Sequence, residues 1–305
     1  MRIIFIIIIL AGCTVQVVPR KDEIVSLLEP VALGVSGKLA LSDGRVGDLS
    51  PGLSLENVVF SQSGRLLGGI SNEGIFVWDM VNPPFVYRSL KTRISSLQFV
   101  NQETALLLGG VDGRVYRWKF LETDTPKKPS LERYIGHGSV VSAVTGGIDS
   151  PIFFSGDWLG VISVWLPYDA DRFGGRFDEN IFGGGFFTDI NKVRETKKTN
   201  GAIESMIATQ DRIFVGLREG KIENWSIRGL RKKGSVMAHS GGVFNLEAGS
   251  VLASSGRDGL IKLWTLDLEP LGTIEQRGVK ALRLDDDNLF VLLESGSISK
   301  YPVKK

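Results

Sequence analysis

The chain has 305 residues, of which 43% are hydrophobic and 23% charged, so it can build a sizeable core and lacks the bias of a disordered protein. The chain has 36 lysines and arginines and 34 aspartates and glutamates, so its net charge gives no reason to expect nucleic-acid binding. The 37 glycines and the absence of long amphipathic helical patterns favour short strands joined by tight turns.

The N-terminal segment resembles a bacterial lipoprotein signal. Arg2 supplies one positive charge, residues 3–10 are an unbroken apolar run, and Leu10-Ala11-Gly12-Cys13 ends in the single cysteine of the chain. The run is far shorter than the roughly 20 residues of a transmembrane helix, and it ends in small residues, as cleaved secretory segments do. The alternative for the same run is an isoleucine-rich buried strand.

That resemblance implies a covalent lipid at Cys13, with residues 1–12 removed as a signal peptide and residues 13–22 serving as a tether. Two or more fatty chains give stable anchoring where one is marginal. A lipidated Cys13 leaves no thiol for a disulfide. Because Thr14 is not the aspartate that favours inner-membrane retention, we expect the protein on the inner leaflet of the outer membrane, facing the periplasm.

Beyond the tether, one short pattern recurs at about the 40-residue spacing of a propeller blade. Each copy is a strand, a turn whose acidic residue usually precedes glycine, and a second strand that usually ends in an aromatic residue. Clear copies occupy 105–120 (ALLLGGVDGRVYRWKF) and 251–266 (VLASSGRDGLIKLWTL). Such a hairpin cannot bury both faces alone, whereas copies stacked in a ring can. The sequence therefore predicts an all-β fold, a β-propeller of about seven blades, over residues 23–305.

The sixth unit has a histidine before its inner strand (His239), an Asp258-Gly259 turn and a closing Trp264, and with these residues it resembles the WD40 repeat. The fourth unit carries a partial match, and 111–118 (VDGRVYRW) also fits the rival quinoprotein-like propeller repeat. The WD40 resemblance implies a hydrogen-bonded set of a histidine, a serine, a turn aspartate and a closing tryptophan. Such a set would occupy both histidines of the chain structurally, rather than as metal ligands or bases. The fourth unit's turn reads as one residue longer than the sixth's. The predicted sets are His137, Ser155, Asp157 and Trp165 in the fourth unit, and His239, Ser254, Asp258 and Trp264 in the sixth.

The last unit offers three strands before the sequence stops. An unpaired outer edge would be an aggregation site, and rings of the WD40 kind close by borrowing a strand from the other terminus. We therefore expect an N-terminal strand, residues 23–28 (EIVSLL), to close the last blade.

The repeat is stretched between Trp165 and Trp225 by an insertion at 167–190 that is rich in glycine and phenylalanine. Loops this long are usually functional or disordered, and exposed aromatic side chains suit docking on a partner. The phenylalanines could instead fold onto the propeller, or the loop could stay mobile. The candidate interface residues are Phe173, Phe177, Phe182, Phe186 and Phe187.

The sequence shows no catalytic motif that we recognise, such as a nucleophile elbow or a phosphate loop, and no histidines at metal spacing. The acidic run 285–287 fits a hairpin turn better than a calcium loop. We expect a non-enzymatic scaffold or assembly subunit that binds other envelope proteins, with no metal, nucleic acid or cofactor besides the lipid. The alternative is a periplasmic enzyme, or a binder of small molecules or polysaccharide, that uses the central channel. Channel candidates are Ser96, Ser142, Glu204 and Asn245.

Overall fold

The computed structural model describes the chain in separate segments. They are residues 6–10, 13–17, 32–33, 38–40, 46–48, 55–61, 65–71, 74–79, 86–88, 92–100, 103–120, 130–146, 152–166, 187–190, 193–284, 287–293 and 298–303. Every regular element within these segments is a β-strand, and no helix in them is long and apolar enough to cross a membrane.

The strands are short, as the turn-rich sequence predicts. In chain order they are β1 (Ile6–Leu10), β2 (Cys13–Val17), β3 (Ala32–Leu33), β4 (Lys38–Ala40), β5 (Val46–Asp48), β6 (Leu55–Phe60), β7 (Leu66–Ser71), β8 (Ile75–Asp79), β9 (Val86–Arg88), β10 (Ile94–Val100), β11 (Ala105–Gly110), β12 (Arg114–Lys119), β13 (Ser130–Ile135), β14 (Val141–Gly146), β15 (Phe153–Asp157), β16 (Val161–Trp165), β17 (Phe187–Ile190), β18 (Val193–Lys198), β19 (Ile203–Ala208), β20 (Arg212–Leu217), β21 (Lys221–Ser226), β22 (Lys232–Met237), β23 (Val243–Ala248), β24 (Leu252–Gly256), β25 (Leu260–Trp264), β26 (Pro270–Glu275), β27 (Val279–Leu284), β28 (Asn288–Leu293) and β29 (Ile298–Pro302).

Sheets made of strands that follow one another in the chain repeat along its length, as expected of propeller blades. Four-stranded sheets are β6–β7–β8–β9, β14–β15–β16–β18, β19–β20–β21–β22 and β23–β24–β25–β26. The sheets β3–β4–β5 and β27–β28–β29 have three strands, and β10–β11–β12–β13 carries β17 as a fifth. We call these seven sheets blades 1 to 7 in chain order. A separate hairpin is formed by β1 and β2.

Close contacts divide the chain into two compact units. One comprises residues 1–91, 219–222 and 235–305, and the other comprises 92–218 and 223–234. In the second unit, Phe154 and Ile162 of blade 4 pack with Ile213 and Val215 of blade 5. The first unit has its own core, where Ala253 and Ile261 of blade 6 pack with Leu289 and Val291 of blade 7.

Within a blade, burial falls from the middle of the sheet to its outer strand. All six residues of β11, a middle strand of blade 3, are buried. In blade 6 the middle strand β24 is buried at four of five positions, whereas the outer strand β26 is exposed at five of six. A middle strand is paired on both edges and covered on both faces, so it is a continuous apolar run, while an outer strand keeps polar residues. Full burial of one such aliphatic side chain contributes about 1.5–3 kcal/mol.

A β-bulge near the start of the inner strand occurs in both β10 and β14, and in each case a hydrogen bond from it links the blade to the next one. In β10 the register shifts between Ile94 and Ser96, and in β14 between Val141 and Ala143. The bulged residue of each strand is a serine. Ser95 Oγ donates to the Val141 carbonyl at 2.7 Å, and Ser142 Oγ donates to the Ile203 carbonyl at 2.6 Å. Each bulge therefore turns a hydroxyl toward the backbone of the next inner strand.

The structure describes two strands in the N-terminal segments expected to be a signal peptide and a tether. The isoleucine-rich run is strand β1, paired with β2 so that Leu10 lies opposite Cys13, and β2 starts the segment expected to be a tether. Residues 23–28, the expected closing strand, lie outside the described residues. The segment that comes near the last blade is β2, with Cα atoms within 8 Å of those of β29. The β1–β2 hairpin is described for the uncleaved chain. Removal of residues 1–12 and lipidation of Cys13 therefore stay predictions.

Candidate functional site

The structure brings together the four side chains of the sixth unit. Nδ1 of His239 lies 2.9 Å from Asp258 Oδ1, and its Nε2 lies 2.9 Å from Ser254 Oγ. Trp264 Nε1 donates to the same Ser254 oxygen at 2.9 Å. One neutral imidazole satisfies this arrangement, with Nδ1–H donating to the carboxylate and Nε2 accepting the serine proton. Burial lowers the pKa of His239 and outweighs the opposite effect of Asp258, which favours that neutral form.

The fourth unit contains the same chain of hydrogen bonds. His137 lies 3.0 Å from Asp157 through Nδ1 and 2.6 Å from Ser155 Oγ through Nε2, and Trp165 Nε1 donates to Ser155 at 2.7 Å. Burial alone would raise the pKa of Asp157, but hydrogen bonds from His137 and from the backbone lower it below its ordinary value. The His137 and Asp157 side chains are fully enclosed, and their polar atoms are satisfied by partners within the blade.

The two sets place their acid at different points of the hairpin. The serine and tryptophan are ten residues apart in both blades, and Gly160 and Gly259 have φ of +80° and +78° at the same place in the turn. The expectation of one extra residue in the fourth turn is therefore wrong. Asp157 is instead the last residue of β15, where blade 6 has Gly256.

This shift of the acid leaves two apolar residues at the tip of the turn. Trp158 and Leu159 occupy the positions that Arg257 and Asp258 have in blade 6. Trp158 is 46% exposed and Leu159 is 57% exposed. The Arg218 guanidinium lies over the Trp158 ring, 5.2 Å from its centroid, and its Nε donates to Glu204 Oε1 at 2.6 Å. We call Trp158, Leu159, Arg218 and Glu204 the Trp158 patch. Sequence reasoning missed it, although an apolar pair between an aspartate and a turn glycine is a visible signal.

The end of the 167–190 insertion lies on blade 3. Strand β17 pairs in parallel with β13, placing Phe187 opposite Leu131 and Ile190 opposite Tyr134. The insertion thus returns to the preceding blade and covers its outer edge, before β18 completes blade 4. Of the predicted interface residues, Phe187 belongs to this strand. The other four, Phe173, Phe177, Phe182 and Phe186, lie outside the described residues, so their role as an interface stays a prediction.

Blades 3 and 5 have no histidine and use buried carboxylates that sequence reasoning missed. In blade 5, Trp225 Nε1 donates to Glu223 Oε2 at 3.0 Å, and Lys232 pairs with the other oxygen. In blade 3, Glu132 accepts from Arg117 at 2.9 Å and from Tyr134 Oη at 2.7 Å. Charged residues are rarely buried unless they are paired. The alternation of apolar and polar residues along a strand therefore gives no sign that Glu223 or Glu132 is buried.

The four channel candidates make contacts within the protein. Ser96 and Ser142 donate to backbone carbonyls, and Glu204 pairs with Arg218. Asn245 Nδ2 donates to Ser255 Oγ at 2.9 Å. No group of three or more histidine, cysteine, aspartate or glutamate residues that could hold a metal occurs in the part of the chain that the structure describes.

Comparisons with known proteins bear on the fold. The family model "WD domain, G-beta repeat" matches residues 231–265, which contain the second histidine set. No curated protein matches the chain.

Solved structures give a longer match. One from "Crystal Structure of Mitotic Checkpoint Complex" is 14% identical, with a TM-score of 0.58, and covers 77% of this chain and 73% of its own. "Structure of U3-55K" and "Crystal structure of RRP9 WD40 repeats" each have a TM-score of 0.65 at 14% identity and cover 84% of this chain, and 79% and 78% of their own. The predicted fold is confirmed: the chain is an all-β propeller of the WD40 type, with a recognisable WD40 repeat at residues 231–265.

Proposed function

We propose that this propeller is a lipid-anchored, non-enzymatic scaffold that binds other proteins of a bacterial cell envelope. One observation carries the proposal. Within each histidine set the polar side chains are hydrogen-bonded to one another. By contrast, Trp158 and Leu159 expose apolar side chains at the tip of the blade 4 turn. Exposed apolar groups on a rigid frame suit protein contact, and an enzyme would need titratable groups that are open to a substrate.

The location rests on the N-terminal sequence. The short apolar run, the small residues before Cys13 and the absence of a further cysteine fit lipid attachment at this thiol. Anchoring would hold the propeller at the inner leaflet of the outer membrane, facing the periplasm.

Fatty-acid labelling in a bacterial host tests the anchor. The wild-type chain should incorporate label and sediment with membranes, whereas Cys13→Ser should do neither. Cys13 is the single cysteine, so the variant leaves no other thiol. A mature protein with a free Cys13 thiol would contradict the anchor without touching the scaffold proposal.

Affinity purification from detergent-solubilised envelopes tests the scaffold. The wild-type protein should bring down a stoichiometric set of envelope proteins. Replacing Phe173, Phe177, Phe182 and Phe186 by serine should weaken capture if the insertion is an interface, and Leu271→Ser, at an exposed position of β26, is the matched control. A monomer that carries only a small molecule would contradict the scaffold and favour a binder or an enzyme.

A further inference from the structure

We infer that the Trp158 patch docks a segment of a partner protein that presents a carboxylate beside an apolar side chain. This inference rests on the proposed protein-binding function and names the chemistry of the partner. It starts from the difference between blades 4 and 6. Both blades keep the same hydrogen-bonded set, but the turn of blade 6 has an exposed Arg257 and an Asp258 that bonds His239, whereas blade 4 exposes Trp158 and Leu159.

The fold does not require the apolar pair. Blade 6 shows that the same hairpin closes with a charged pair and keeps the bonds from histidine and tryptophan to serine. In blade 4 the carboxylate reaches His137 from the preceding strand position instead. The tip is thereby released from a structural role, and a tryptophan and a leucine at about half exposure suit a contact with another protein.

The tip is also held rigidly. Trp158 N–H donates to the Val140 carbonyl at 3.2 Å, and Leu159 N–H donates to Asp157 Oδ1 at 3.0 Å. Thr199 N–H donates to the Gly160 carbonyl at 2.8 Å, which fastens the other side of the turn. A partner that binds this backbone pays little entropy for ordering it.

The charge of the patch selects the partner. Arg218 uses Nε for Glu204 and one face for the Trp158 ring. Its two terminal amino groups have no hydrogen-bond partner among the described residues, and they are the donors that a carboxylate engages in a forked arrangement. An acidic residue next to an apolar one would therefore pair with Arg218 while its neighbour packs on Trp158 and Leu159.

Gly138 offers a way to block the patch without removing any of its residues. A Cβ at Gly138 would stand 3.8 Å from Leu159 Cδ1, which is ordinary contact, and nothing nearer obstructs it. Gly138→Gln should therefore fold and place a polar side chain over Leu159. It complements the direct double variant Trp158→Ser with Leu159→Ser.

Selection of short random peptides displayed on phage, against the purified full-length protein in detergent, tests the inference. Bound peptides should share an aspartate or glutamate adjacent to leucine, isoleucine or phenylalanine. A synthetic peptide from that selection should lose at least tenfold in affinity for the double serine variant and for Gly138→Gln. Arg218→Glu should reverse the preference toward peptides with lysine at the acidic position.

Met237→Ser, at another exposed position of blade 5, is the matched control and should bind the peptide as the wild type does. Peptides that bind all variants equally, peptides without an acidic residue, or self-association of the protein through this patch would overturn the inference. If the double serine variant captures envelope partners and also binds the selected peptide as the wild type does, the scaffold proposal stands and the patch assignment fails.

Discussion

At the scale of single residues, the serine in each histidine set holds two partners at once. Ser254 Oγ accepts from Trp264 and donates to His239, and all three side chains are buried. Removing the hydroxyl leaves a buried donor and a buried acceptor unsatisfied, and each costs about 1–3 kcal/mol.

We therefore expect Ser254→Ala to lower the free energy of unfolding by about 2–4 kcal/mol. Urea titration at neutral pH measures this loss. Ser250→Ala, at an exposed position in the β23–β24 turn, should stay within about 0.5 kcal/mol of the wild type. Equal effects of the two substitutions would show that the set adds no stability.

The pH dependence of stability combines two residues with opposite signs. Burial lowers the pKa of His239 below 6.5, so its contribution is complete above that pH and is lost as the pH falls. Burial raises the pKa of Glu247 to about 7, against the attraction of Arg283 and a hydrogen bond from the Leu284 backbone. The folded state therefore favours protonated Glu247, and that contribution is lost as the pH rises from 4.5 through 7.

Glu247→Gln separates these effects, because it keeps the shape of the side chain and removes its titration. The stability of the variant relative to the wild type should increase between pH 5 and pH 8. Urea unfolding at several pH values within that range provides the measurement. A stability difference that does not change with pH would contradict the assignment to Glu247.

At the scale of strands, the serines at the bulges of β10 and β14 form hydrogen bonds between neighbouring blades. Ser142 lies on β14 and donates to the backbone of β19, two strands that share no sheet. We expect Ser142→Ala to destabilise the protein by about 1 kcal/mol, the usual net value of one hydrogen bond. The melting temperature should fall accordingly, and an unchanged melt would mean that packing alone holds the blades.

The parallel strand β17 makes another prediction at this scale. Prolines at Thr188 and Asp189 would remove both backbone donors in the middle of β17 and should release it from β13. Amide hydrogen exchange in β13 should then become faster, while exchange in β20 stays slow. Unchanged exchange in β13 would show that β17 does not protect this edge.

At the scale of the whole molecule, the sequence predicts what repeats and misses what occurs once. The propeller fold and the members of both histidine sets follow from residue types that recur at fixed places. The return of 187–190 to β13 joins segments far apart in the chain and has no local signature, so it could not be predicted. The Trp158 patch was not predicted, because Asp157 resembles a turn residue in the sequence, whereas it is the last residue of β15.

Photocrosslinking in intact bacteria tests the central claim most directly. A photoreactive amino acid is placed at Leu159 of the full-length chain, and at Leu271 as a control. We predict that Leu159 yields one discrete adduct with a protein of the cell envelope, and that Leu271 does not. No adduct at Leu159, or an adduct with a cytoplasmic protein, would contradict an envelope scaffold that binds its partner through this turn.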